Sequence, residues 1–402
     1  MHIVFNVREV LPADADPSMV WDALVFAAVH NRVSDIHILA QRQATELAFR
    51  IDGDMRPQGE ISNEFARRLI SHVKSISGMD IAEHRRPTEG RLKVQAGDRT
   101  VDLRLSSIPS IHGQDLVVRI FDHTVSLMEL TQLGLMREQL DTIYDLIARP
   151  HGLILVSGPT GSGKTTTLYA MLQHLSGHAR KIVTIEDPVE YDLPGVNQTQ
   201  VNYRIGVDFA HMLTALLRQD PDIIMVGEIR DEETAVTAVR AANTGNLVLA
   251  TTHATRASRA VETMLSLGVH PYFLAVALRG VLAQVLVKQI CPHCKTPLPE
   301  TTEMVLEDAV RRRLPDNAET QLYEGRGCDH CLGTGYRGRL GLFELFAPDE
   351  NIKQLIVDRQ PAMEIDKAIR KAELLTLEEV GKLALVTGQT TLHQLADVLP
   401  TL

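Results

Sequence analysis

Three groups of residues in this chain have types and spacings that chemistry can use. Gly158-Pro159-Thr160-Gly161-Ser162-Gly163-Lys164-Thr165 fits the pattern G-x-x-x-x-G-K-[ST]. Its glycines let the backbone wrap a phosphate without Cβ clashes, and the N–H groups of the loop and of the helix start, through Thr166, then face the anion. Lys164 supplies a point charge to the β- and γ-phosphates, and Thr165 supplies a hydroxyl for Mg²⁺. The second group is acidic. Glu186 and Asp187 follow the apolar run 182–185 and Glu228 follows 223–226, at strand ends where ligands of a parallel sheet gather. A solvated strand edge is the plainer alternative for each. His253 ends the run 247–252; it is placed to contact a γ-phosphate, with a purely structural histidine as the alternative. The third group is Cys291-Pro292-His293-Cys294 and Cys328-Asp329-His330-Cys331, with 33 residues between the pairs. Two C-x-x-C turns complete the tetrahedral Cys₄ set that zinc prefers, leaving His293 and His330 surplus. With every coordination position filled, the metal has no water to activate, so its role is folding, where binding contributes roughly 10 to 16 kcal/mol in small zinc modules.

The elements that must hold these residues are legible in the hydrophobic pattern. From His151 onward, continuous apolar runs at 153–156, 182–185, 223–226 and 247–250 alternate with amphipathic stretches, which implies a parallel sheet covered on both faces. The run 153–156 leads directly into the glycine loop, the context that gives the motif its meaning. Phe209, Met212, Leu213, Leu216 and Leu217 follow a helical stripe. Asp231 reads as the N-cap of the next helix, with Glu232 and Glu233 in its first turn and Gly245 closing it. Upstream, a helical start and alternating runs at 46–52, 91–95, 100–106 and 116–121 predict a small α+β domain. Leu127, Leu130, Leu133, Leu140, Ile143, Leu146 and Ile147 then suit one or two linker helices. The expected fold is α/β: an N-terminal α+β domain over 1–125, linker helices over 126–150, an ATPase core over 151–287, a tetracysteine subdomain over 288–345 and a helical tail over 346–402.

Composition narrows the function classes. A chain of 402 residues with 44% apolar content exceeds one comfortable core, so two or three domains are expected. The net charge of -10, from 41 basic and 51 acidic residues, argues against nucleic acid as the main partner. The first sixteen residues carry Arg8, Glu9, Asp14 and Asp16 and no apolar h-region, so no secretion signal is expected and the chain is expected in the cytoplasm. The stretch 271–287 is interrupted by Arg279, Gly280 and Gln284 and falls short of the roughly 20 apolar residues a spanning helix needs, so any membrane association would be peripheral. Four cysteines in two C-x-x-C pairs point to metal rather than disulfides.

Beyond the phosphate loop, Thr184-Ile185-Glu186-Asp187-Pro188-Val189-Glu190-Tyr191 looks like an Asp box. The segment from Leu217 through Asp220-Pro221-Asp222 to Gly227-Glu228-Ile229-Arg230 looks like a Walker B segment, and Thr244 through Thr252-His253 looks like a His box. With Ser34-Asp35-Ile36-His37, Gly78-Met79-Asp80-Ile81-Ala82-Glu83 and the downstream run from Gly327-Cys328 to Gly338-Arg339, these resemble the ATPases that drive type II secretion and type IV pilus assembly. The resemblance implies a RecA-like core, a PAS-like N-terminal domain and a homo-hexameric motor. The N-terminal domains of that motor close on the cores as ATP turns over, at the cytoplasmic face of the inner membrane. It implies partners among inner-membrane platform and assembly proteins, with membrane contact only through them. It assigns Glu228 to magnesium and water activation, Glu186 to assistance at the γ-phosphate, and Arg91, Arg104 and Arg119 to nucleotide sensing. For each arginine a solvent-facing strand residue is the alternative.

The tetracysteine pairs favour an assembly or secretion motor over the retraction motors of the family. Departures from the family pattern are Asn246 in place of a histidine, Ala254-Thr255 after His253, and Gln284-Val285-Leu286-Val287-Lys288, where a helix carrying two arginines is expected. With 33 residues before Ser34 in this sequence, the recruitment domain of fuller secretion members is not expected within it. Two other readings remain at this level: a RecA-like nucleic-acid translocase and a nucleotide-binding regulator that does not hydrolyse.

Overall fold

The computed structural model describes residues 15–97, 99–122, 128–177, 179–298, 308–314, 321–372 and 374–399. The stretch read above as lacking a secretion signal and the first linker residues, through Leu127, lie mainly outside them. The chain divides into two units, Met1–Ser126 and Leu127–Leu402.

The first unit is a sheet with two helices on its buried face. Helix α1 (Pro17–His30) starts at Asp16, whose carboxylate accepts from the Ser18 N–H at 3.0 Å, with Pro17 in the first turn where its missing donor costs nothing. Strands β1 (Val33–Ala40), β2 (Thr45–Ile51) and β3 (Asp54–Ile61) precede α2 (Asn63–Ile76), and β4 (Thr88–Ala96), β5 (Arg99–Ser110) and β6 (Gly113–Asp122) follow it. The strand order is β3-β2-β1-β6-β5-β4, antiparallel throughout. Trp21 and Leu24 of α1 and Leu69 and Val73 of α2 pack on Ile36, Leu47, Leu103 and Val118. The alternating runs became β2, β4, β5 and β6. Strands β1 and β3 escaped that pattern because a register shift between Val33 and Asp35 breaks the alternation of β1, while β3 is an edge strand carrying Pro57 and Gly59.

The second unit begins with a single 3₁₀ turn at Leu130–Gln132 and helix α3 (Arg137–Ala148). Then come β7 (Gly152–Ser157), α4 (Lys164–Leu175), β8 (Ile182–Glu186), β9 (Asn197–Gln200), α5 (Phe209–Leu216), β10 (Ile223–Val226), α6 (Glu232–Asn243) and β11 (Leu247–Thr252). After α7 (Ala257–Ser266) and α8 (Pro271–Ala277) follow β12 (Leu278–Ile290), β13 (Lys295–Pro297), α9 (Asp308–Arg311), β14 (Tyr323–Gly325) and β15 (Tyr336–Phe346). Helices α10 (Glu350–Val357), α11 (Ala362–Lys371), α12 (Leu377–Val386) and α13 (Leu392–Val398) close the chain.

Seven strands in the order β15-β12-β7-β11-β10-β8-β9 form the central sheet, parallel except where β15 pairs antiparallel with β12. Its apolar runs are continuous because both faces are covered: Leu153 and Leu155 of β7 enter one core, while Ile154 and Val156 enter the other. Asp231 does cap α6, accepting from the Thr234 N–H at 2.8 Å, and Gly245 follows with φ +125°.

Two expectations change. Residues 284–288 are not helical but lie in β12, between β7 and β15, where Val281, Val285 and Val287 are buried by neighbours on both sides. The 13 residues of β12 also run past the expected boundary at 287, and β15 occupies 336–346, so both ends of the tetracysteine segment are strands of the central sheet.

Candidate active site

The phosphate loop leaves β7 at Ser157 and enters α4 at Lys164, between β11 and β12. Gly158 has φ +151°, and a Cβ there would lie 2.3 Å from the Gln284 carbonyl of β12; Gly163 takes φ +87° as the first cap of α4. Both positions therefore need glycine, one for space and one for backbone conformation. The Lys164 Nζ donates to the Gly158 carbonyl at 2.7 Å and to that of Pro159 at 3.1 Å. Burial pushes this ammonium's pKa down, and the facing charge of Glu228 opposes the shift. Lys164 and Glu228 thus share one rim of the sheet. Pro159, Thr160, Gly161 and Thr165 are exposed there, Thr166 is half-buried and Ser162 is buried.

Glu228 emerges two residues beyond β10. Its Oε2 pairs with Arg230 and its Oε1 with Nε2 of His253, the residue that follows β11. Burial raises the carboxyl, but the hydrogen bond from Arg230 and the charges of His253 and Arg230 outweigh it and hold Glu228 below the usual glutamate range. An ionised carboxylate is thereby secured at neutral pH, the form that can hold magnesium or accept a proton from water. Thr165 and Glu228 are the residues that could hold that ion. The Thr251 hydroxyl donates to the Gly227 carbonyl at 2.6 Å, and the Ile229 N–H donates to the Thr251 carbonyl at 2.9 Å, so β11 fixes the backbone on both sides of Glu228.

Glu186 ends β8 on the same rim but is only 2% exposed. Its Oε2 accepts from the Tyr169 hydroxyl, and its Oε1 accepts from Thr184 at 2.6 Å and from Gln198 at 3.0 Å. Burial and this carboxylate together push the Tyr169 phenol far above its ordinary pKa. Oε2 thus braces α4 through Tyr169, while Oε1 is held by β8 and β9. Asp187 hydrogen-bonds Tyr203 and lies near Arg230. Asn246 stands at the other end of β11, where its Nδ2 donates to the Pro221 carbonyl at 2.5 Å, so this departure lies a strand's length from the phosphate loop.

In the first unit, Arg91, Arg104, Arg119, Asp35 and Arg50 stand directly opposite one another on β4, β5, β6, β1 and β2. Arg119 pairs with Asp35 at 2.8 Å, and the Arg104 guanidinium lies 4.5 Å over the Phe121 ring. Arg91, Arg104 and Arg119 are thus in register across adjacent strands, with Asp35 neutralising Arg119 at the β6 end.

The four cysteine sulfurs lie within 4.8 Å of one another. Cys291–Cys328 are 3.9 Å apart, and Cys294–Cys331 and Cys328–Cys331 are 3.8 Å apart. A tetrahedron with Zn–S bonds of about 2.3 Å has edges of about 3.8 Å, which these three separations match, so the quartet suits a zinc ion. The N–H groups of Cys328 and Gly335 both point at the Cys331 sulfur at 3.2 Å, as they would toward a thiolate.

Residues that the motifs did not single out are Arg230, which holds Glu228, Tyr169, which engages Glu186, and Thr167, which hydrogen-bonds Gln284 at 2.8 Å. Gln284 itself was visible as a polar residue inside an apolar run, a signal that can be read as buried polar bonding.

Comparison with known proteins extends the reading beyond the site. Residues 14–397 match the family model described as type II/IV secretion system protein. Type II secretion system protein E of Aeromonas hydrophila is 42% identical over 393 residues, 97% of this chain and 77% of its own length. The type II secretion system ATPase E of Vibrio cholerae is 41% identical, with 98% and 79% covered. The type IV pilus assembly ATPase PilB of Thermus thermophilus is 42% identical over 90% of this chain and 40% of its own. Among solved structures, the Legionella pneumophila ATPase DotB superposes with a TM-score of 0.72 at 18% identity, covering 98% of both chains. The ADP-bound pilus retraction motor PilT gives a TM-score of 0.65 at 24% identity, covering 94% and 96%; these two establish the fold. Because the match runs through both units and nearly from end to end, the chain belongs to the type II/IV secretion system protein family and is an ATP-hydrolysing enzyme of it.

Proposed function

We propose that this ATPase works as a magnesium-dependent, homo-hexameric motor that drives pilus or pseudopilus assembly, or type II protein secretion, at the cytoplasmic face of an inner membrane. The observation that carries the reading is that Lys164 of the phosphate loop and an ionised Glu228, held by Arg230 and His253, stand on one rim of the parallel sheet. ATP would lie against the loop N–H groups, with Lys164 exchanging its own-loop carbonyls for the β- and γ-phosphates. Bound magnesium would neutralise charge developing between those phosphates. Glu228 would orient the attacking water, and His253 holds that carboxylate in place.

Arg91, Arg104 and Arg119 stand in register on β4, β5 and β6, and the nucleotide-sensing role proposed for them is of a kind worth about 10³ to 10⁵ in rate in P-loop enzymes. No helix among the described residues is long and apolar enough to cross a membrane, which suits a motor recruited by membrane-embedded partners. The tetracysteine cluster supports the assembly or secretion branch.

The test is Glu228→Gln, in which the side chain keeps its size but cannot act as a base. Binding of ATP should persist while phosphate release falls by about 10² to 10⁴. Hydrolysis at the wild-type rate would remove Glu228 from the mechanism.

A further inference from the structure

Gln284 sits midway along β12 among Leu282, Ala283 and Val285, and it is 1% exposed. A carboxamide in such a place must spend its polar atoms on partners. Its Nε2 donates to the Ser162 carbonyl of the phosphate loop at 2.6 Å, and its Oε1 accepts from the Thr167 hydroxyl of α4 at 2.8 Å. The two ends of the amide are not interchangeable here: only the NH₂ can meet a carbonyl, so the Ser162 bond fixes which way the group points, and the Thr167 hydroxyl, able to donate or accept, follows it. Strand and loop also touch through the backbone, since the Gln284 carbonyl occupies the space a Cβ on Gly158 would need.

The consequence lies in the geometry of one peptide. A trans peptide sets its C=O and N–H antiparallel. Drawing the Ser162 carbonyl toward β12 therefore turns the Gly163 N–H away from β12. A flip of this peptide turns on ψ of Ser162 and φ of Gly163, and Gly163, at φ +87°, has no Cβ to oppose it. A flipped Ser162–Gly163 unit would aim a carbonyl where a phosphate needs a donor.

We infer that Gln284 is a positioning residue for ATP hydrolysis: from β12 it pins the Ser162–Gly163 peptide, holding a glycine-rich loop in its phosphate-accepting form without touching the nucleotide. The inference rests on the ATPase reading and deepens it. It also assigns a role to a strand outside the nucleotide-binding motifs, one that leads into Cys291 seven residues later.

The variants that separate positioning from mere stability differ in which half of the clamp they lose. Gln284→Glu keeps an acceptor for Thr167 but has no donor for Ser162, and Gln284→Met fills similar buried volume with neither. Thr167→Val loses the other bond and leaves the Ser162 bond intact. ATP and ADP affinity, by calorimetric titration of the full chain, are compared with kcat, KM and melting temperature. Gln284→Glu and Gln284→Met should each bind ATP about tenfold more weakly or worse, whereas Thr167→Val should stay within about threefold of wild type at a similar loss of melting temperature. If Gln284→Glu does not fold, the uncharged Gln284→Met must give that loss by itself. Wild-type affinity in the Gln284 variants, or affinity losses that track melting temperature across all three variants, would overturn the inference. Wild-type turnover measured alongside distinguishes the failures: active wild type with indifferent Gln284 variants sinks the clamp alone, while wild type that neither binds nor hydrolyses ATP sinks the ATPase reading.

Discussion

Glu228 is held by two side chains from different elements, Arg230 just beyond it and His253 at the end of β11. Burial favours its neutral form, and the partners reverse that preference. Removing Arg230 should let burial reassert itself. In Arg230→Ala the carboxyl would rise, so the acid limb of the kcat/KM profile moves to higher pH. The sign follows because the active form is the carboxylate, which a raised pKa makes available only at higher pH. An acid limb unmoved in the variant would show that Glu228 is not the group titrating. Lys164 resembles Glu228 in being occupied by internal partners, in its case the carbonyls of its own loop. Each such contact must be exchanged when a triphosphate enters, so the nucleotide replaces bonds rather than finding bare charges.

At the scale of elements, the site depends on how strands and helix ends are tied together. Glu344 of β15 is 2% exposed, and its two oxygens accept from Ala257 at the start of α7, at 2.8 Å, and from Leu377 at the start of α12, at 3.1 Å. One carboxylate therefore caps two helices, satisfying donors that have no intrahelical partner. Burial pushes its pKa up against those two N–H bonds, so the charge itself is costly there. Glu344→Ala should lower stability by about 2 to 4 kcal/mol, since it orphans two buried donors. Glu344→Gln, which keeps one acceptor and sheds the charge, should cost less. Thermal unfolding followed by circular dichroism measures both, and equal losses in the two variants would refute the double cap. Strand β12 ties several parts together: it pairs with β7 and β15, holds the phosphate loop through Gln284, and leads into the first cysteine turn.

At the scale of the molecule, the tetracysteine segment is a staple on the central sheet. Cys291 follows β12, Cys328 and Cys331 precede β15, and these two strands pair along most of their length. The C-terminal helices close over the same place, where the Ile290 N–H donates to the Gln389 carbonyl at 2.8 Å and the Tyr336 hydroxyl meets that of Thr391 at 2.9 Å. Elemental analysis of the purified chain should find about one zinc per polypeptide. Cys331→Ser should lose it, with faster amide exchange in 288–297 and 321–340 and a lower melting temperature. Metal-free protein with unchanged exchange and melting would exclude a structural zinc.

Sequence alone determined the chemistry that depends on local order. A phosphate loop is eight consecutive residues, a C-x-x-C turn is four, and a buried parallel strand is a short apolar run, so each is written without interruption along the chain. The same is true of α6, whose cap lies one residue from its start. Tertiary structure decided what depends on residues far apart. Position 284 reads as part of a helix until β7 and β15 appear on either side of it, and its bond to Ser162 spans 122 residues. Glu186 reads as an acid at a strand end until Tyr169 and Gln198 claim its oxygens. Hydrogen bonds are satisfied in space, and the partner of a buried polar group is set by how elements pack, which local pattern does not encode.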